Sequence, residues 1–319
     1  MKRGVQNEKI RHQTNKFIPR LILVLSIAII VAVCTVITYS VIHKKMHTSN
    51  SVSALYDYWK KQDYEKVYEI STNILDKNPL NNSANTFKGY SAFMLAISES
   101  EDMSLAQNYL DESINHLRVS LLNSKKSSTP QIEYALGRTY FIKNKTSSYH
   151  YYADLAIKYL EKAKLHGYKA NDISEFLGLS YASLGETEKS ISSFTEALLY
   201  RESDTLLFDI ARQYYINSQG GAAKQYLYRV VSTTEDVNLL IDSRYLLGMI
   251  AIDEENLDEA KKEFEAILEK NENSADAHYG LGVIYERKGE SAKARAMWRK
   301  ALRLNPGHAD ALKKLSELK

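Results

Sequence analysis

The chain has 319 residues, 44% of them hydrophobic and 25% charged, with only 4 Pro, 13 Gly and a single Cys. So few breakers leave long helices open, and one cysteine excludes a small disulfide-stapled domain. The net charge of +3 is too small to imply a polyanionic partner.

That charge is concentrated at the beginning. Lys2, Arg3, Lys9, Arg11, Lys16 and Arg20 stand against Glu8, giving residues 1–20 a net charge of +5 and the remainder −2. Next, residues 21–42 read "LILVLSIAIIVAVCTVITYSVI", 22 positions without a charge. As a helix this run rises roughly 33 Å, enough for the hydrocarbon core of a bilayer. Ser26, Thr35, Thr38 and Ser40 can bond back to their own helix carbonyls. A cleaved signal peptide would have a shorter apolar core. A lipoprotein signal at Cys34 would follow a small residue, where Val33 stands. The expectation is an uncleaved span over 18–42 after a basic tail, 1–17. Six basic residues precede the span and four follow it, at Lys44, Lys45, Lys60 and Lys61. That bias predicts a cytoplasmic N-terminus and a body across the inner membrane, in the periplasm.

After a linker, 43–50, one pattern recurs. "ALYDYWKKQDYEKVYEISTNILDKNP" is followed by "FKGYSAFMLAISESEDMSLAQNYLDES" and then by "LGRTYFIKNKTSSYHYYADLAIKYLEKAK". "LGLSYASLGETEKSISSFTEALLY", "IARQYYINSQGGAAKQYLYRVV", "LGMIAIDEENLDEAKKEFEAILEKN" and "LGVIYERKGESAKARAMWRKALRLNP" complete the series. One first-helix position is held by Leu55, Gly89, Gly137, Gly178, Ala211, Gly248 and Gly282, at steps of 34, 48, 41, 33, 37 and 34. Small residues there, and Ala260 or Ala294 in the second helix, let two helices cross closely. Phe264 and Trp298 fill the space between units, and Pro79 and Pro306 stop second helices.

This series strongly resembles the tetratricopeptide repeat, a helix-turn-helix unit of 34 residues. The resemblance implies an all-α fold, a right-handed superhelical array of about seven units over 51–308 behind one transmembrane helix. Residues 309–319 would form a capping helix with Ala311, Leu312, Leu315 and Leu318 on one side. The overlong steps contain "NSKKSSTP", where Thr129 reads as an N-cap and Pro130 as the first helical residue. They also contain "NKTSSYH", within a hairpin turn, and "TTEDVN", between units; all three read as surface loops.

In this family the first helices line a concave, partner-binding surface. Carrying its groove-facing places onto this chain selects Tyr56, Trp59, Tyr90, Phe93, Tyr134, Arg138, Phe141, Phe208, Arg212, Tyr215, Tyr245, Met249 and Tyr279. Much of the surplus of 23 Tyr falls there, on rings suited to contact a partner while tolerating water. The alternative is packing between units, the motif's own use for Tyr181 and Tyr285. Some members hold a partner's terminal carboxylate with basic residues on successive first helices. Only Arg138 and Arg212 match here, with Leu179 between them, so that clamp is incomplete.

Nothing in the sequence carries chemistry. The eight His form no metal pair in the repeats, and no H-E-x-x-H is present. Gly220-Gly221 lacks the Lys-Ser/Thr of a phosphate loop, and the basic residues after Tyr285 alternate with packing positions. The expectation is therefore no enzyme, no cofactor, no metal and no nucleic acid. Partners are other proteins, with the membrane reached through 18–42; the residues do not decide whether copies associate. Anchored arrays of this kind resemble flagellar motor collars and pilus or secretion assembly factors. They also resemble helpers beside the secretion channel and accessory subunits of membrane enzymes.

Overall fold

The computed structural model describes residues 28–39, 51–147 and 152–317, and every regular element among them is helical. Residues 28–39 form α1. Seven hairpins follow. They are α2 (Val52–Lys60) with α3 (Tyr64–Leu75), α4 (Asn82–Ser98) with α5 (Met103–Leu122), and α6 (Thr129–Thr146) with α7 (Ala153–Leu165). Then come α8 (Ile173–Ser183) with α9 (Thr187–Ala197), and α10 (Asp204–Ile216) with α11 (Gly220–Thr233). Last are α12 (Val237–Asp253) with α13 (Leu257–Lys270), α14 (Ala275–Arg287) with α15 (Ser291–Leu304), and the closing α16 (Ala309–Glu317).

Local chemistry sets most boundaries. Ser51, Asp63, Asn81, Asp102, Ser203, Asp236, Asn256 and Ser274 each accept a backbone N–H of the first turn with a side-chain oxygen. Five of the hairpin turns contain a left-handed residue, Gly185 and Gly289 in two of them and Gln62, Ser218 and Glu255 in the others. Ser128, not Thr129, occupies the N-cap of α6, so the helix starts one residue earlier than the sequence predicts and Pro130 sits one place further in. The hydroxyl of Thr129 instead donates to the carbonyl of Lys125, which satisfies it locally.

Hairpins are closed by a small residue facing a large one. A Cβ on Gly178 would lie 2.4 Å from the ring of Phe194, and one on Gly282 would lie 2.3 Å from the indole of Trp298. Gly89 and Gly137 receive Leu117 and Leu160 in the same way. Phe264 does double duty, lying under Gly248 of its own unit and Gly280 of the next. The first unit inverts the sizes: Leu55 is fully buried, and the position sixteen residues on is Ser71, also fully buried.

No unit owns its core. Phe87 of α4 packs with Leu55, Val67 and Ile70 of the first hairpin, and Ile114 and Leu117 of α5 pack with Ile132 and Leu136 of α6. Ala223 and Leu227 of α11 likewise join Leu246 and Ile250 of α12. Stacking thus creates the apolar interior. First helices of adjoining units touch (α2 with α4, α4 with α6, α6 with α8, α10 with α12, α12 with α14), and no two second helices approach as closely. First helices therefore lie on the inner side of the curve.

Two of the three expected loops are present as short connections, and most of the extra length of their steps is helix. The longest step is absorbed mainly by α5, which starts fourteen residues before its large residue Leu117, whereas the second helices of the other units start seven before theirs. The connection 123–128 itself is short. "TTEDVN" contributes a three-residue link, and its last two residues begin α12, a lengthened helix. In both places the added residues form helices by extending packed faces. "NKTSSYH" does interrupt a hairpin between α6 and α7, and part of it lies outside the described residues.

At the C-terminus Ala311 is buried and Leu315 packs on the last unit, while Leu312, expected on the same side, is half-exposed. At the N-terminus no described helix is long and apolar enough to cross a membrane. The expected span is described only over α1, where Thr35 and Thr38 do donate to the carbonyls of Ala32 and Cys34. The rest of 18–42, with the tail and linker, lies outside the described residues.

The small–large contact makes a directional prediction. Gly282→Ala should destabilise the array by about 1–3 kcal/mol despite alanine's higher helix propensity, because Trp298 must be displaced. Glu255→Gly should instead stabilise it by about 0.5–1 kcal/mol by relieving a left-handed backbone. Chemical denaturation of both variants beside the parent chain checks the opposite signs.

Candidate functional site

The inner face carries an apolar recess where α2, α4 and α6 meet the link into α8. About 150 Å³ is lined by Trp59, Tyr90, Phe93, Met94, Gln131, Tyr134, Ala135, Arg138 and Tyr168. Five residues selected from the sequence thus converge on one place, although they come from three units. The repeat explains why: each sits on the inner side of its own first helix, and stacking superimposes those sides.

Arg138 is the chemical centre of this cavity. Its guanidinium lies 5.2 Å from the ring of Phe93, 5.3 Å from Phe176 and 5.7 Å from Tyr134. The negative faces of three rings compensate part of the desolvation of the charge. No carboxylate pairs with it among the described residues, and its Nε is buried without an acceptor. A planar fork of N–H donors thus lies in an apolar recess with no protein acceptor among the described residues, the arrangement that a carboxylate oxygen pair satisfies. Around it, the Tyr134 hydroxyl donates to both oxygens of Asp172 at 2.7 Å, and the Tyr168 ring stacks on Tyr134 with centroids 4.7 Å apart. Trp59 closes the far side, 5.8 Å from Tyr90. Burial, then the neighbouring Tyr168, push the Tyr90 phenol well above its ordinary range.

The remaining selected residues distribute differently. Tyr56 is exposed and edges onto Phe87. Phe141 and Arg212 line a separate recess of about 470 Å³ with Asn144, Leu179 and Ile216, where Arg212 is already paired with Asp209 at 3.1 Å. Tyr215 donates to Asp253 at 3.0 Å on the rim of a third recess. Phe208, Tyr245 and Met249 are half-buried against the core. Tyr279 is buried against His308, so its expected place on an open face does not hold.

The face also changes sign along its length. Beyond Arg212 come Asp242, Asp276 and Asp310, one per unit in the same register. Burial, and then the charge of Asp276, raise the Asp242 carboxyl above its usual range. Tyr168, Phe176 and Gln131 escape the sequence reading. Tyr168 reaches the cavity from an inter-unit link, turned inward after Gly167 in left-handed backbone (φ 86°), and that glycine is the only signal for it.

Much of the tyrosine surplus joins units. Besides Tyr134 and Tyr215, Tyr68 donates to Glu112 of the next unit at 2.5 Å, Tyr228 to Glu259 of the next at 2.9 Å, and Tyr181 to Glu161 of the previous one at 2.5 Å. These are bonds between hairpins, invisible in a linear sequence. Among the described residues no three His, Cys, Asp or Glu side chains converge as a metal site would require.

Family models described as tetratricopeptide repeat match residues 174–204 and 245–309. The chain carries tetratricopeptide repeats in those two segments. Its repeats are helical hairpins stacked through shared cores, and the unmatched units pack in the same manner. The C-terminal part of a TPR repeat-containing protein from Cytophaga hutchinsonii is similar in structure, with TM-score 0.53, 15% identity, and 82% of this chain and 98% of that one covered. Another similar structure is in the APC/C hetero-tetramer Cut9–Hcn1, with TM-score 0.50, 17% identity, and 83% and 48% covered. YrrB, described as a TPR protein with an unusual peptide-binding site, aligns with TM-score 0.47, 24% identity, and 63% and 97% covered. At these identities the likeness concerns the fold. No curated protein sequence matches the chain.

The tyrosine–carboxylate bonds predict alkaline sensitivity. The phenols of Tyr215 and Tyr228 are pushed up to about 12, chiefly by burial and then by Asp253 and Glu259. The folded state therefore holds these protons more strongly than the unfolded chain, whose phenols titrate near 10. Their stabilisation is complete below pH ~10 and is lost as pH rises through about 12. Thermal melts of the full chain in detergent should show Tm falling across that window, less steeply in a Tyr215→Phe/Tyr228→Phe variant.

Proposed function

We propose that the protein is a membrane-anchored scaffold that holds partner proteins in the assembly of an envelope complex. Residues 18–42 would fix it in the cytoplasmic membrane, with the basic tail in the cytoplasm and the repeat array on the periplasmic side. The repeat array is an interaction module with protein partners, and the cavity around Arg138 is the observation that carries the rest. A guanidinium without an ion-pair partner, held among aromatic rings on the inner face, suits a partner segment that inserts an acidic side chain. The acidic stretch from Asp242 to Asp310 suits basic residues further along the same segment, giving it a direction.

Photocrosslinking tests this reading. A photoreactive residue at Met94 of the full chain in intact membranes should yield a few discrete protein adducts. Arg138→Glu should reduce their yield on the order of tenfold or more, whereas Arg295→Glu, on an exposed part of α15, should leave it unchanged. Equal yields from both variants would exclude the cavity as the docking point.

A further inference from the structure

A second surface lies on the edge of the array. Leu122 ends α5, Leu165 ends α7 and Leu199 lies just past α9, and they are 85%, 81% and 81% exposed. Single exposed leucines are ordinary, but these three share a register. Each stands five residues after the large core residue of its second helix: Leu117, Leu160 and Phe194. In the other units that register holds Asp76, Ser232, Glu269 and Arg303. Three consecutive units therefore present a bare leucine at one height.

The flanking charge is basic. Lys125 and Lys126 follow Leu122, and Lys169 follows Leu165; none of the three has an ion-pair partner among the described residues. The acids on this stretch are committed elsewhere, Asp172 to Tyr134 and Glu202 to Arg229. In the later units the links carry Glu235, Asp236 and Glu272, with Lys270 and Arg303 in the last turns of α13 and α15.

Topology places this edge beside the entry of the chain. In packed hairpins with short turns, the end of a second helix and the start of a first helix share one edge, so the start of α2 at Val52 lies on the leucine edge. Only residues 43–50 separate the uncharged run from the array, a reach of at most about 30 Å even fully extended.

We propose that the edge bearing Leu122, Leu165 and Leu199 rests on the bilayer surface, with its leucines at the headgroup boundary and its lysines against anionic headgroups. The proposal rests on reading 18–42 as an anchor. Apolar side chains ringed by Lys bind such a surface by combining burial with charge attraction. The later units, which have no leucine in that register, would be held away from it, leaving the inner face accessible from the side.

The test uses the full chain carrying Cys34→Ser and one new cysteine, Leu122→Cys, Leu165→Cys or Leu199→Cys, with Ser232→Cys and Glu269→Cys as same-register controls. Each is labelled with an environment-sensitive fluorophore and reconstituted in phosphatidylcholine vesicles with or without phosphatidylglycerol. Retention after alkaline carbonate extraction is measured first, and release would overturn the anchor reading together with the docking that depends on it. In retained protein, a lipid-borne quencher should reduce emission at the three leucine positions at least about twofold more than at the controls. Phosphatidylglycerol should widen the difference, and Lys125→Glu/Lys126→Glu should abolish that widening. Retained protein whose five probes are quenched equally would overturn the docking alone, as would protection that depends on protein concentration rather than on lipid, which would indicate a second copy.

Discussion

Everything in this molecule depends on how closely two helices can approach. Where a first helix has glycine or alanine, the second presents a phenylalanine, a leucine or a tryptophan to the bare backbone, as Gly178 and Phe194 do. Large-against-small packing at native density fixes the angle of each hairpin, and with it the direction in which the next one stacks. Because Phe264 also lies beneath Gly280 of the following unit, one side chain transmits the geometry of one hairpin to its neighbour. The inner face, its cavity and the outer edge are all consequences of that contact repeated.

The interior this produces is nearly linear. Each apolar cluster is built by residues of adjoining hairpins, and tyrosine hydroxyls add directional bonds to carboxylates across the same boundaries. Apolar burial supplies the attraction, and the phenol–carboxylate bonds restrict how the units can slide. The same rings are amphipathic, so where a unit boundary opens toward the inner face, as at Tyr90 and Tyr134, they become contact surface.

The periodic part of this architecture was legible because it is written as residue size at a fixed interval. Seven hairpins, their small markers and the cap could be placed from the sequence. Leu55 looked like a departure from the pattern, and the structure resolves it as an exchange of sizes with Ser71, which no single position announces. Extra residues were harder to place. "ISESEDMSLAQ" has the polarity of a loop, but much of it extends α4 and α5, since a paired extension keeps its backbone hydrogen bonds and buries one face of each helix. Of the inner-face residues, Trp59, Tyr90, Phe93, Tyr134 and Arg138 were found through register. Tyr168 and Phe176 were not, because a link and a neighbouring helix bring them in. The partners of the tyrosines stand 20 to 44 residues away, beyond any local pattern.

The extended α4–α5 hairpin has a mechanical consequence. Its added turns all lie at the end where the two helices of a unit are joined, so on the rim remote from Val52 it stands about 6–10 Å proud of the first hairpin, while α6 of the third reaches about as far as α4. A load applied to that tip acts on a longer arm than one applied to any shorter hairpin. The tip meets the third hairpin through Gln107, whose amide donates to the Thr146 hydroxyl of α6. Torque there would be felt at the wall of the Arg138 recess, since Phe93 and Met94 ride on α4, the other helix of that tip.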